Sequence, residues 1–226
     1  SQWNGNQKVP GWSLGVTSEK SAYLPRNLIL QIVGADAAGR RGGYEVIPSN
    51  LRLELHRVYY VGVAVNLADT SEKGVTFWVK DVGDMDAPLR SAQVKHGVTG
   101  SVVSNSPLII GGREAAGAAP AHGWDGLIGE VRISNVAIKA EQNLWNEGDP
   151  KEAVVGHWRF EETPGFLKEV ANRLPDLARQ AAGKGKPAAG KTAAAAEKPV
   201  PSVKVSAQLI DLCHVLLNSS EFLYVD

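Results

Sequence analysis

Between Trp124 and Ser134 the chain alternates with a period of two. Leu127, Gly129, Val131 and Ile133 fall on one side, and Ile128, Glu130, Arg132 and Ser134 on the other. Only an extended strand points successive side chains in opposite directions, so this stretch belongs in a sheet with two different faces. Just upstream, Pro107-Leu108-Ile109-Ile110-Gly111-Gly112-Arg113 is a continuous apolar run closed by glycines, which predicts a strand buried on both sides. Two such segments joined by a loop point to layered antiparallel sheets.

The same period recurs along the first two thirds of the chain. Trp12, Leu14 and Val16 share a face; so do Leu28, Leu30 and Ile32, in a strand that Gly34 and a glycine-rich loop over 39–43 terminate. Val61, Val63, Val65 and Leu67 give a long strand with one apolar face, and a turn over 69–74 leads into Val75, Phe77 and Val79 as a hairpin. Residues 89–96 and 154–160 complete the set. Short strands with turn signals about every 10 residues indicate an all-β, antiparallel two-sheet sandwich. The 24 glycines and 12 prolines, against a single methionine, favour the same class.

Three segments are expected: a sandwich over 1–177, a linker over 178–206 and a terminal helix over 207–226. Within the first, 139–146 is a short helix of good helix formers stopped by Gly148 and Pro150. The linker is Ala, Gly, Pro and Lys with almost no large apolar residue, so burial cannot offset the entropy of ordering it. In the tail, Ser206 caps a helix whose Leu209, Ile210, Leu212, Cys213, Val215, Leu216 and Leu217 cover nearly every face. A helix apolar all round expects to be buried, so its natural partner is a neighbouring domain or a second chain, the alternative being the sandwich itself.

Lys+Arg and Asp+Glu are both 24, which leaves no global field to draw the protein onto nucleic acid or an anionic membrane. No apolar run approaches the roughly 20 residues of a membrane-spanning helix. The lone Cys213 precludes an internal disulfide and any multi-cysteine metal site. The chain opens on Ser1-Gln2-Trp3-Asn4-Gly5 with no initiator Met, as a fragment or a processed product would.

Several motifs imitate catalytic ones. Gly11-Trp12-Ser13-Leu14-Gly15 spells a nucleophile elbow, which requires a buried strand before the serine and a helix after it. Asn6-Gln7-Lys8-Val9-Pro10 cannot supply that strand, and Trp12, Leu14 and Val16 read as a strand themselves. Gly185-Lys186-Pro187-Ala188-Ala189-Gly190-Lys191-Thr192 spells a phosphate loop, yet it lies inside the linker with no strand before it and Pro199 after it. Cys213-His214 lacks the second cysteine of a haem-attachment box. His56, His96, His122, His157 and His214 show no pair at metal-ligand spacing. Glu130 has no alternating carboxylate on its strand, as a jelly-roll glucanase would have, and is expected to pair with Arg132 or with a polar neighbour on the next strand. No enzyme is expected.

Two constellations are candidates for binding. Asp81, Asp84 and Asp86 follow a strand directly and form a carboxylate cluster able to take calcium, or an ordinary turn whose side chains bond their own backbone. The loop from Arg113 to Trp124 carries Arg113, Glu114, His122 and Trp124, with Asp125 next, a mixture suited to gripping a sugar or a peptide. Aromatic faces stack on sugar C–H groups while Arg and carboxylates bond hydroxyls. Trp124, directly before Asp-Gly and a strand, is also placed to pack into the sandwich edge.

The spelling of 107–113 and 124–134 resembles the closing strands of laminin-G-like, concanavalin-type jelly rolls. Trp3-Asn4-Gly5, the stretch from Gly11 to Lys20, Pro25-Arg26-Asn27-Leu28, the stretch from Val154 to Glu161 and the terminal Leu212-Cys213-His214 to Asp226 further resemble the C-terminal part of large planctomycete-type exported, cytochrome-like multidomain proteins. The resemblance covers most of the chain outside the linker. It implies a jelly-roll module in the periplasm or at the cell surface, with an opening strand or two ahead of Ser1 and no haem in this part of the parent. Related modules often carry Asp where this chain has Gly129, so no polar contact transfers there, and no catalytic residue transfers at all. The expected function is non-catalytic carbohydrate or glycan recognition. The alternative is a structural or protein-interaction module docking on other domains of the parent.

Overall fold

The computed structural model describes residues 1–35, 41–115, 118–124, 126–141, 154–160, 166–167, 177–178 and 210–218. Strands β1 (Gly11–Val16), β2 (Asn27–Ala35) and β3 (Arg41–Arg52) form a three-stranded antiparallel sheet in that order. A second, six-stranded sheet contains β4 (Val58–Val65), β5 (Val75–Asp81), β6 (Arg90–Val94), β9 (Leu127–Ser134), β10 (Val154–Arg159) and β13 (Ile210–Asn218), in the order β10-β9-β13-β4-β5-β6. Two small ribbons pair β7 (Arg113–Ala115) with β8 (Ala118–Ala121), and β11 (Phe166–Leu167) with β12 (Leu177–Ala178). All the named pairings are antiparallel.

One apolar core joins the two large sheets. Trp12, Leu28, Leu30, Ile32 and Ile47 of the small sheet meet Val61, Val63, Phe77, Val79, Val131 and Trp158 of the large one. The alternation of β4 and β5 explains their fit: Val61 stands opposite Val79, Val63 opposite Phe77 and Val65 opposite Val75, all inward. The chain is therefore β-rich and sandwich-like, as its period-two rows predict. Among the described residues no helix is long and apolar enough to cross a membrane.

Four expectations need correction. Residues 107–112 form no strand; they run as a loop whose Leu108 and Ile110 pack against the core. An apolar run records burial, but strand pairing also needs a backbone partner along its length, and here Ile109 finds one only in Ser1. The loop expected over 39–43 is strand from Arg41 onward, the start of β3, because β2 offers it a full edge from Asn27 to Ala35. In β9 the predicted split of faces breaks at Gly129: Leu127 is 65% exposed while Ile128 packs with Val131 and Ile133 against the core. Neighbouring Leu216 and Leu217 pair with Glu130 and Ile128, leaving Gly129 as an extra residue, and such a bulge switches the facing of everything before it.

The fourth correction concerns the tail. Within the expected terminal helix over 207–226, Ile210–Asn218 is strand β13, lying between β4 and β9. Val215 stands opposite both Val61 and Val131. Two strand edges that would otherwise hold unpaired N–H and C=O groups are satisfied by one inserted strand, a stronger demand than the tail's local helix preference. Of the expected short helix over 139–146, Ala140 and Glu141 are helical, Lys139 is not, and 142–146 lie outside the described residues. So does the linker beyond β12, with its phosphate-loop spelling. Gly11–Val16 is strand β1 without a turn at Ser13, which is the geometry read from its sequence.

Candidate binding pocket at the base of the β7–β8 hairpin

The loop 108–112 turns back at Gly111, which adopts φ 79°, and the Gly111 carbonyl accepts the Trp124 N–H at 2.8 Å. That closure starts the β7–β8 hairpin, in which Arg113 stands opposite Ala121. His122 follows with φ 55°, a left-handed conformation that non-glycine residues adopt at a cost. The hairpin thus brings Arg113, His122 and Trp124 to its own base, on one wall of a single cavity.

The cavity has a volume of about 100 Å³. Trp12, Leu14 and Val16 of β1 wall one side; Leu108, Ile110 and Ile128 are among its other apolar residues. Its floor is the sandwich core, where Leu28, Val61 and Val131 are buried. Arg113, His122 and Ser1 are the larger polar contributions, with Ser13 and the glycines around them. Three of the four residues expected to bind a ligand therefore share one pocket. Asp125 lies outside the described residues.

Arg113 is held by residues distant in sequence. Its guanidinium lies 5.2 Å from the Trp3 ring centroid, and Trp3 in turn stacks on Tyr44 at 5.7 Å and 30°. The stack is fixed at both ends: Trp3 Nε1 donates to the Asn6 carbonyl at 2.9 Å, and Tyr44 Oη accepts from Gln31 Nε2 at 3.0 Å. Gly5, at φ 82°, lets the chain pass so close that a β-carbon there would sit 3.4 Å from the guanidinium. Burial pushes the Arg113 guanidinium down from its ordinary value, against a smaller opposing pull from Tyr44. Its Nε is buried with no hydrogen-bond partner, and among the described residues no carboxylate pairs with it.

A second set of charges sits on β9 and β10. Glu130 Oε1 is 2.5 Å from His157 Nε2 and accepts from Arg132 Nη2 at 3.0 Å, and its Oε2 is 3.7 Å from Arg159 Nε. Register explains the grouping, since His157 stands opposite Arg132 and Arg159 opposite Glu130. The expected pairing of Glu130 with Arg132 and a neighbouring strand is thus present. Burial raises the Glu130 carboxyl, but His157 and Arg132 together outweigh it and hold the group below its ordinary 4.5.

Of the three aspartates expected for calcium, Asp81 and Asp84 have carboxylates engaged separately. Asp81 Oδ2 takes Arg57 Nη1 at 2.8 Å and its Oδ1 accepts the Gly83 N–H at 3.0 Å; Asp84 Oδ1 accepts the Asp86 N–H at 3.0 Å. These are the self-bonded turns that such sequences also permit. Among the described residues no group of three or more His, Cys, Asp or Glu side chains is gathered as a metal would require.

Sequence reasoning found the hairpin residues but missed Trp3, Tyr44 and Gly5. The early tryptophan followed by Asn-Gly was a visible signal of a packed turn, though nothing in it pointed to Arg113. No protein-family model, no curated protein and no solved structure matches this chain.

Proposed function

We propose that this chain is a non-catalytic recognition module of jelly-roll type, and that it binds a glycan in the pocket at the base of the β7–β8 hairpin. The observation that carries this reading is the convergence of Arg113, His122 and Trp124 on one apolar cavity. A sugar offers C–H faces to Trp124, Leu108 and Ile110, and hydroxyls to the Arg113 and His122 side chains; sites of this make-up recur where small polar ligands are bound. Glu130 is occupied by cations and Ser13 lies inside a strand, which favours binding over turnover. The protein-interaction alternative drew on an apolar tail helix docking on the parent chain, whereas Ile210–Asn218 is a strand inside the large sheet. In keeping with the resemblance, the module is placed in an exported protein.

Polysaccharide pull-down and glycan-array binding, with and without added calcium, test the proposal. Binding is expected to weaken roughly tenfold or more in Trp124→Ala, the loss of one stacked aromatic. Calcium dependence abolished by Asp84→Asn would support a metal at the aspartate turn. Absence of binding to any glycan at millimolar protein would reject the reading.

A further inference from the structure

A glycan explains the polar mouth of the pocket but not its floor, nor the condition of Arg113. Leu28, Val61 and Val131, all buried, line its inner end, so the floor is apolar. A bare sugar carries hydroxyls on every side, and a hydroxyl buried there would lose water without gaining a partner. The cavity of about 100 Å³ is instead matched to a hydrocarbon group, on the order of a benzene ring or a short acyl chain in size.

The guanidinium of Arg113 borders this space. It is positioned on Trp3 and against Gly5, partly stripped of water, with an enclosed Nε bonded to nothing and no carboxylate partner among the described residues. Arginine stays charged in proteins, and a desolvated cation is stabilised most by a bidentate anion of matching geometry.

We propose that the pocket takes a small carboxylate carried on an apolar body, the carbon skeleton filling the cavity and the carboxylate pairing with the Arg113 guanidinium. This deepens the recognition reading and rests on it for the location of the site. The same chemistry has two sources, an acidic acyl substituent on a glycan and a free short-chain acid.

Calorimetric titration of the full chain distinguishes them, using hexanoate, its neutral amide, a succinylated xylo-oligosaccharide and the unsubstituted oligosaccharide. Hexanoate is expected to bind roughly ten- to a hundred-fold more tightly than the amide, the range of one charge-assisted contact. Arg113→Gln should bring the acid down to the amide's level, while Arg113→Lys should keep part of the preference. Ile110→Trp should exclude acid and amide alike by filling the cavity, with a cooperative thermal melt showing that the variant folds. Stronger binding of the succinylated sugar than of hexanoate assigns the glycan source, and the reverse order assigns the free acid; both support the proposal. Equal binding of acid and amide overturns it. Binding of the unsubstituted oligosaccharide without competition from any carboxylate overturns it and leaves the glycan reading standing. No binding by any of the four overturns both.

Discussion

Arg132 and Arg113 are both withdrawn from water, and they are held in opposite ways. Arg132, 3% exposed on β9, has Glu130 as a carboxylate partner and His157 directly across the strand pair. Arg113 rests on an aromatic ring, and its charge meets no carboxylate among the described residues. A sheet gains nothing from leaving a partly buried cation without an anion, since desolvation is then uncompensated. The contrast separates a charge paired within the fold from the one proposed to meet a ligand. On β9 the guanidinium meets a carboxylate; at the hairpin it borders a cavity.

The sharpest way to break this contrast is Glu130→Ala. It should cost about 3 kcal/mol, because it strands a buried arginine, and urea denaturation should show the midpoint falling with little change in slope. A loss under about 0.5 kcal/mol, the size of an exposed pair, would mean that the cluster is ornamental.

The second effect is its dependence on acid. Because Glu130 titrates lower in the fold than its ordinary 4.5, the unfolded chain binds that proton first. The cluster's stabilisation is therefore present above 4.5 and is lost as pH falls through the lower folded value. Melting temperatures between pH 5 and about 3 should drop more steeply for the native chain than for Glu130→Gln.

On the pocket side the effects on stability should be smaller. Gly5→Ala imposes a side chain on a left-handed residue against Arg113 and should cost about 1–2 kcal/mol, measured by the same denaturation series. Arg113→Gln forfeits only its contact with Trp3, about 0.5–1 kcal/mol. If Arg113→Gln destabilised as much as Glu130→Ala, the guanidinium would be a structural charge after all and the contrast would fail.

How much of this was legible beforehand depended on range. Strands β1, β2, β4, β5, β9 and β10 follow from apolar alternation, because facing in a strand is fixed residue by residue. The tail could not be read the same way. Leu212, Val215, Leu216 and Leu217 make it apolar at nearly every position, and such a run suits a central strand as well as a buried helix. The bulge at Gly129 was equally invisible, since it depends on how Leu216 and Leu217 register against β9. For the site, Arg113, His122 and Trp124 lie within one short loop and could be grouped on sight, whereas Trp3 and Tyr44 reach Arg113 only through the fold.

By itself, then, the amino-acid order determined that the chain forms two-faced strands, which of their residues seek the interior, and that a polar and aromatic loop precedes β9. Those are local consequences of backbone geometry and hydrophobicity. Tertiary structure alone decided that 108–112 is a pocket wall rather than a strand, that Ile210–Asn218 completes the large sheet, and that Arg113 lies on Trp3 beside an apolar cavity with no carboxylate partner among the described residues. Each of those outcomes depends on which distant backbone edge or side chain is available to pair, and pairing between distant segments is settled only when the two sheets close on each other.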